Sequence, residues 1–384
     1  MIINTILIII ILFVVLYLYY KYKYQFWSRQ PVFHYHNIKY WLNPPGIIQH
    51  GIPKIDKYYN PEIQFDTFMK LKTEKKALFI TFIKSHFMPH KTEQYTPTQQ
   101  SIIPYFEHNN DSSYISLYIQ KVNNSNRIIA SMTTRPLDCV MNNNKLKCHY
   151  VDHLCVHKEK RKRGIAPEII YSHYVNHRKS HKNVVFLFKR EGDSTMIVPL
   201  CIYKNYGFDM KYWYKNISFD QPNINVVLIN DSNLKLILDI WNSIDSNFEC
   251  VIKPNISNIK HLLESENIYI SVVMVNNVPV SIYVFRKTYT TYNGENSLEF
   301  IASYNDVNMN PNEKMFTLGA LISIDKIRKI SPLRYLFIEN ISNNFIIIKH
   351  ILERYTSFVQ ITTSYYFYNF GLRPLMSTDV FMVN

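Results

Sequence analysis

The chain has 384 residues, of which 47% are hydrophobic and 19% charged, and this composition excludes an intrinsically disordered protein because it supplies a full core. The formal net charge of +14 indicates an anionic partner such as coenzyme phosphates, lipid or nucleic acid. Because the basic residues are dispersed, much of the surplus is explained by a solvated surface, and we expect no nucleic-acid partner. The five cysteines form no CxxC pair, which predicts free thiols in a reducing compartment.

Residues 2–20 form an uncharged, mostly apolar run that is long enough to cross a membrane as a helix. A cleaved signal peptide is disfavoured because the run is long and ends in an aromatic edge followed by Lys21 and Lys23. Since these positive charges follow the span, the positive-inside rule places the rest of the chain in the cytosol. We therefore predict a single-pass membrane protein that contacts lipid through this helix.

The next elements form an α/β pattern. Residues 65–87 are predicted to form a helix that ends at Pro89, and residues 91–104 a polar loop. Residues 114–122 and 127–134 alternate as two strands joined by a hairpin turn at residues 123–126, and a third strand covers residues 146–156. Further on we predict a strand at 184–188, a short helix at 199–206 and a turn at 207–208.

Residues 151–168 read as a strand, a basic turn and the start of a helix. Backbone N–H groups at a helix start lack intrahelical partners and suit a phosphate, and Gly164 allows close approach of the backbone. The cationic side chains of the turn are Lys160, Arg161, Lys162 and Arg163.

After residue 220 a second α/β unit is predicted. Helices are expected at residues 234–244, 258–264, 316–329 and 346–355, and strands at residues 268–275, 278–286, 298–304, 336–338 and 365–369. The closing order of strand, helix and strand repeats that of the first unit.

Two stretches resemble a known family. Arg161-x-x-Gly164-x-Ala166 resembles the pyrophosphate loop of the GNAT acyltransferases, and Leu154-Cys155-Val156-His157-Lys158 with Ala166-Pro167 resembles the signature of N-myristoyltransferases. Tyr24-Gln25-Phe26-Trp27, followed by Gln30-Pro31-Val32, resembles the segment that begins their ordered domain and contacts the coenzyme.

The resemblance implies an α/β, tandem GNAT-like (acyl-CoA N-acyltransferase) fold, and the transmembrane helix predicted from the apolar run precedes it. The implied division is a membrane anchor at residues 2–20, an acyl-CoA-binding half at 21–219, and a half at 220–384 that binds the peptide and supplies the C-terminal carboxylate.

The family's chemistry implies a role for each matching residue. The backbone N–H groups of His153 and Leu154 would stabilise the oxyanion, and the α-carboxylate of Asn384 would act as the base. The implied coenzyme-binding residues are Tyr24, Gln25, Phe26, Trp27, Leu154, Cys155, Val156, Arg161, Lys162, Arg163, Gly164, Ile165, Ala166 and Pro167.

The peptide side departs from the family pattern. Lys189 and Asn205 replace the threonine and the histidine that orient the amine, and Asn340 replaces an aspartate. The acidic loop that attracts basic substrates is also missing around residues 90–94. Lys189, Asn205 and Asn340 are therefore our candidates for substrate binding.

The sequence leads to one principal function and leaves two alternatives open. The principal prediction is transfer of myristate from myristoyl-CoA, as co-substrate, to the N-terminal glycine of a protein, with no permanently bound cofactor. The alternatives are a catalytically weak acyl-CoA-binding or scaffold protein on a membrane, and a GNAT acetyltransferase acting on amines. No metal is expected, since His173 and His177 lack a third ligand.

Overall fold

The computed structural model describes residues 2–88, 93–122, 125–142, 144–192, 196–213, 215–310 and 312–384. Its α-helices are α1 (Ile2–Lys23), α2 (Ile38–Leu42), α3 (Thr73–His86), α4 (Gln99–Ile102), α5 (Ile165–Ser180), α6 (Leu238–Ser243), α7 (Ile256–Glu264), α8 (Glu313–Ile330) and α9 (Asn344–Leu352).

The strands before residue 230 are β1 (Gly46–Ile47), β2 (Ile63–Thr67), β3 (Glu93–Tyr95), β4 (Tyr114–Val122), β5 (Ser125–Met141), β6 (Asn144–Val156), β7 (Val185–Glu191), β8 (Cys201–Asp209) and β9 (Ile224–Leu228). The later strands are β10 (Cys250–Lys253), β11 (Ile268–Val275), β12 (Val278–Tyr292), β13 (Glu295–Asn305), β14 (Tyr335–Glu339), β15 (Val359–Tyr368), β16 (Phe370–Gly371) and β17 (Val380–Met382).

Fifteen of the described strands form one mixed sheet. The order along its main path is β17-β10-β5-β6-β7-β15-β8-β14-β13-β12-β11-β9, with β2 and β4 branching from β5, and β3 pairing with β12. Strands from late in the chain lie among early ones, since β15 pairs with both β7 and β8. The predicted α/β architecture is confirmed as one continuous sheet covered by helices.

Helix α5 illustrates how local sequence produces this architecture. It begins after Gly164, which has a φ of 81°, and Pro167 is tolerated because the first turn needs no N–H donor there. Its apolar residue Ile169 packs against Ile129 and Met132 on β5, so the helix covers the sheet beside β6. The strand-turn-helix unit predicted at residues 151–168 is confirmed.

Helix α1 is long and apolar enough to span a membrane, although a signal sequence near the N-terminus meets the same criteria. Its side chains are almost all exposed up to residue 19, whereas Tyr20 is buried against the following segment. Tyr20 shares a 2.8 Å hydrogen bond with His34, so the end of α1 is attached to the folded domain.

Three local predictions are wrong. Residues 65–67 belong to β2 rather than to a helix, because they pair with β4; the helix there is Thr73–His86, and Pro89 lies outside the described residues. The helix predicted at 199–206 is strand β8, which pairs with β14 and β15. The turn predicted at Gly207 is also inside β8.

Three other predicted features have a different outcome. Part of the helix predicted at 234–244 is a 3₁₀ segment, Asp231–Ile237, followed by α6. The predicted loop at 91–104 contains β3 and α4, although residues 91 and 92 lie outside the described part. Residues 123 and 124 of the turn predicted at 123–126 lie outside the described part, whereas Ser125 and Asn126 belong to β5, where they pair with β4.

Candidate active site

A split between two neighbouring strands opens the main cavity. Within the described residues, β6 and β7 are paired at Cys148–Tyr150 and Val185–Leu187, and beyond these positions the two strands separate. Residues 150–154 then line one side of a cavity of about 1080 Å³, and residues 188–191 line the other. A cavity of this size inside a sheet accommodates a long ligand.

A β-bulge shapes the wall of the cavity on β6. The register between β5 and β6 shifts between Ser131 and Thr133, and His153 has a positive φ of 47°. The bulge is held by side chains of β5, because the Ser131 hydroxyl donates to the His153 carbonyl at 3.1 Å. As a result Leu154, with 37% of its surface exposed, borders the cavity.

The two predicted oxyanion donors both lie in this bulge. The backbone N–H of His153 donates to the Asp152 carboxylate at 2.9 Å. The imidazole of His153 is buried within hydrogen-bonding distance of the Thr133 hydroxyl, at 3.2 Å, and burial lowers its pKa. The ring is therefore neutral near pH 7 and is neither a surface histidine nor a charged group.

The basic turn forms a second cavity of about 600 Å³ at the start of α5. Lys160, Arg161, Lys162 and Gly164 line it, as do the first residues of the helix. The guanidinium of Arg161 donates to the Val156 carbonyl at 3.2 Å, which fixes its position at the cavity edge. Cationic side chains and helix N–H groups thus converge on one space, the arrangement that binds phosphate groups.

The segment after α1 lines the first cavity. Tyr24, Gln25, Phe26 and Trp27 all border it, and Trp27 stacks on Phe188 with a centroid distance of 5.7 Å. Tyr368 anchors this segment by donating to the side chain of Gln30 at 2.6 Å, so the tail of the chain supports it.

Most of the predicted coenzyme residues are brought together. Among the lining residues that the structure describes, each of them except Arg163 borders one of the two cavities. The residues shared by both cavities are Phe87, Met88, Leu154, Ala166 and Pro167. The Cys155 thiol is buried, and burial raises its pKa to about 12, which fits the predicted core residue rather than a nucleophile.

Lys189 joins the cavity to a buried cluster of charges. Its ammonium lies 3.3 Å from Glu299 and also forms an ion pair with Glu339, which has no exposed surface. Arg286 donates through Nε to the other oxygen of Glu299 at 3.0 Å, and through Nη1 to the main-chain oxygen of Asn384 at 2.8 Å. Charged contacts therefore run from the cavity to the end of the chain.

The members of this cluster change one another's protonation. Burial raises the pKa of Glu339 to about 7 against the opposing effect of Lys189. Burial also disfavours the charged form of Glu299, but Arg286 and Lys189 hold its pKa well below the usual range. The two carboxylates raise the pKa of Lys189 well above its usual value despite burial.

Sequence reasoning missed Arg286, Glu299 and Glu339. The available signal was a charged residue within, or directly beside, each of the apolar strands predicted at 278–286, 298–304 and 336–338. Buried charges in strands are rare unless they are paired, so three such interruptions indicate a shared internal site.

The remaining predicted residues, Asn205, Asn340 and Asn384, border neither of the two cavities. Asn205 is the register partner of Glu339, and its side-chain oxygen has no hydrogen-bond partner among the described residues. Asn340 donates its backbone N–H to the Lys204 carbonyl at 2.9 Å. Asn384 is only 2% exposed, because β17 pairs in parallel with β10 and the Val383 N–H donates to Ile252. In the described part of the chain, His173 and His177 do not belong to a group of three or more His, Cys, Asp or Glu side chains that could hold a metal ion.

The sheet, its split strands and the helix after the basic turn define a mixed α/β fold of the GNAT-like acyltransferase type. Residues 58–186 match the sequence profile described as myristoyl-CoA:protein N-myristoyltransferase, N-terminal domain. No curated protein sequence matches the chain.

Solved structures extend this comparison to the whole fold. The Saccharomyces cerevisiae N-myristoyltransferase with bound myristoyl-CoA has a TM-score of 0.72 at 10% identity and covers 92% of this chain and 94% of its own. A structure of the same enzyme with myristoyl-CoA and inhibitors gives 0.72 at 10% identity, covering 93% and 95%. The chain therefore has the N-myristoyltransferase fold, and the resemblance predicted from its sequence is confirmed.

Proposed function

We propose that the protein transfers a myristoyl group from myristoyl-CoA to the N-terminal glycine amine of a protein at the cytosolic face of a membrane. The observation that carries this proposal is the pair of adjoining cavities, one bordered by the basic helix start and the other by the split strands. In the yeast enzyme of the same fold, the bound ligand is myristoyl-CoA.

The acyl-CoA would lie across both cavities. The basic turn would hold the phosphates, and the thioester would sit at the bulge, where the N–H groups of His153 and Leu154 face the developing oxyanion. The His153 N–H would then exchange the Asp152 carboxylate for the substrate oxygen. The volume of the first cavity favours a long acyl chain over an acetyl group.

The attacking amine has to lose a proton, and two groups of the buried cluster compete as its acceptor. The proposed base is the α-carboxylate of Asn384, which the contact with Arg286 would hold inside the fold. Glu339 is the alternative: its pKa of about 7 matches the working pH, and its Oε2 has no partner among the described residues.

Mass spectrometry of glycine-starting peptides, acidic and basic, incubated with myristoyl-CoA and the full chain in lipid nanodiscs would test the proposal. Acylated peptide is the expected product, with little product from acetyl-CoA. A chain ending in a C-terminal carboxamide removes the charge of Asn384 at almost constant volume, and we expect it to lose transfer while keeping myristoyl-CoA affinity. If Glu339→Gln lost transfer while the chain with the C-terminal carboxamide remained active, the base would instead be assigned to Glu339.

A second function, acyl-CoA binding without transfer, is favoured by one observation. The ammonium of Lys189, which borders the cavity, already pairs with the buried carboxylates of Glu299 and Glu339, so the cluster has an internal cation in place of a substrate amine. Tight myristoyl-CoA binding by calorimetry, without acylation of any peptide, would support this binder and exclude the transferase.

A further inference from the structure

A small exposed patch lies beside the end of helix α1. It consists of Tyr35, Ile38, Lys39 and Leu42, whose apolar members are 48%, 66% and 79% exposed, respectively. Ile38 and Leu42 are four residues apart on α2 and therefore share one face of the helix. The opposite face is anchored by Tyr40, which is buried and contacts Phe33 with a centroid distance of 5.7 Å. The exposed face is thus held rigidly outward.

The patch is attached to α1 at the height where that helix would leave a membrane. His36 packs edge-on against Tyr17 with a centroid distance of 5.6 Å, and His34 hydrogen-bonds to Tyr20. Tyr17 and Tyr20 belong to the aromatic end of the apolar run, and tyrosine favours the headgroup region of a bilayer. The patch begins directly beside these contacts, because Tyr35 lies between His34 and His36, so its first residue is placed next to the aromatic end of α1.

Charge agrees with this placement. Lys39 lies within the patch, and Lys21 and Lys23 follow the aromatic end of α1. Basic side chains next to exposed apolar ones are the combination that binds an anionic lipid surface. A second protein copy is a poorer occupant, because stable interfaces bury about 800 Å² on each partner and three apolar side chains provide much less.

We propose that the patch of Tyr35, Ile38, Lys39 and Leu42 is a second membrane contact that inserts into the headgroup region of an anionic phospholipid bilayer. This proposal rests on the proposed anchor. It adds a fixed orientation of the domain, because one spanning helix leaves the domain free to rotate relative to the membrane surface, whereas two contacts do not. The cavity wall formed by Tyr24 and Trp27 directly follows α1 and would then be held next to the lipid surface.

Fluorescence quenching in vesicles tests the proposal on the full chain. All five native cysteines are buried, so a thiol introduced at an exposed position is labelled selectively. Leu42→Cys reports on the patch, Leu12→Cys on the middle of α1, and Tyr212→Cys on an exposed site of the domain. Each variant carries an environment-sensitive dye in vesicles of phosphatidylcholine and phosphatidylserine with spin-labelled lipid chains.

We expect a shallow spin label to quench the dye at Leu42→Cys more than a deep label does, with the reverse order at Leu12→Cys and no quenching at Tyr212→Cys. Adding Ile38→Asp should reduce the quenching at position 42 and leave that at position 12 unchanged. Quenching at position 12 without quenching at position 42 would overturn the patch and leave the anchor intact. Absence of both would overturn the anchor itself, and crosslinking between copies through position 42 without quenching would assign the patch to a dimer.

Discussion

Gly164 occupies a left-handed conformation where the basic turn becomes helix α5, with a φ of 81°. A Cβ at this position would meet no atom within 4 Å, so a substitution acts through backbone strain alone. We expect Gly164→Ala to cost about 1 kcal/mol of stability and to weaken myristoyl-CoA binding, because the strain is relieved by moving the N–H groups that we propose bind the phosphates. Calorimetric titration with myristoyl-CoA measures the second effect.

Gly294 provides a matched control for this prediction. It also has a φ of 81°, and a Cβ added there would meet no atom within 4 Å, but it lies in the hairpin between β12 and β13, away from both cavities. Gly294→Ala should lose similar stability and keep full myristoyl-CoA affinity. Equal affinity of the two variants would show that the turn at Gly164 does not bind the phosphates.

Lys189 is the internal counter-charge for two buried carboxylates. Replacing it by methionine keeps most of its volume but leaves Glu339 and Glu299 with one cation fewer in a site that excludes water. We expect Lys189→Met to lower the free energy of unfolding by about 3–5 kcal/mol, the cost of breaking a buried ion pair. Urea unfolding in micelles measures it.

The control for Lys189 is Lys260, which also forms ion pairs with two carboxylates but on the surface. Solvent screens such pairs, so Lys260→Met should leave the unfolding midpoint unchanged. A midpoint for Lys189→Met as high as that of the wild type would mean that the cluster does not depend on this cation.

At the scale of elements, the accuracy of sequence reasoning depended on how local the determining contacts were. The strand, basic turn and α5 were predictable because the motif is contiguous. Strand β8 was not predicted from the sequence. In the structure its burial alternates as is typical of a strand, because Cys201 and Tyr203 are buried and Ile202 between them is exposed. Its Gly207 is required by close packing, since a Cβ there would lie 2.6 Å from Val359 on β15, a contact that the sequence does not reveal.

The same distinction applies to the site. The residues proposed to bind the coenzyme fall in two short segments, so their closeness in space could be predicted, and all of them except Arg163 border the cavities. The buried charge cluster joins β7, β12, β13 and β14, which are distant in sequence, so the individual charges gave no sign of one another. Pairing of β15 between β7 and β8 is what brings these strands together.

Helix α5 and strand β6 share a buried group of histidines, with His173 and His177 on the helix and His149 on the strand. His177 has no exposed surface and no hydrogen-bond partner for either ring nitrogen among the described residues, and it contacts His149 with a centroid distance of 4.6 Å. Burial lowers the pKa of His173 to about 3 and that of His149 to about 4, and it holds the pKa of His177 well below its usual range. All three are neutral in the folded protein at pH 7.

These depressed pKa values make the fold sensitive to acid. Histidine in the unfolded chain has a pKa of about 6.5. Above this pH the three histidines are neutral in both the folded and the unfolded state, and below it they bind protons in the unfolded state only. Stability should therefore fall from about pH 6.5 towards pH 4, by about 1.4 kcal/mol per pH unit for each histidine. Unfolding midpoints measured at pH 7.5 and 5 should differ accordingly.

His177→Phe tests the contribution of a single histidine. Phenylalanine keeps the aromatic contacts and removes an unsatisfied buried polar group, so we expect a gain of about 1–3 kcal/mol and a weaker pH dependence. His50, which is exposed, serves as the control, and His50→Asn should leave the pH dependence unaltered. An unchanged pH slope in His177→Phe would mean that this histidine has a partner or a proton in the folded state.

At the scale of the whole molecule, the sheet joins the two predicted halves. Strand β17, from the end of the chain, pairs with β10, and β10 pairs in turn with β5, which belongs to the first predicted half. The side chains of Val380, Phe381 and Met382 are fully buried in this arrangement. The end of the chain therefore contributes to the same core as β5.

This continuity predicts that the domain after α1 unfolds as one cooperative unit. Removing residues 380–384 should destabilise both halves together, by about 2 kcal/mol for each buried apolar side chain lost, because β10 loses its neighbour and the core opens to water.

Hydrogen exchange followed by mass spectrometry would compare β5 and β6 with β12 and β13 in the intact and the shortened chain. Faster exchange confined to β10 and its neighbours would show that β17 only closes a sheet edge. Parallel acceleration in all four strands would show that the chain end holds the acyl-CoA cavity and the charge cluster in one structure, so that binding of myristoyl-CoA at α5 should in turn protect β12 and β13.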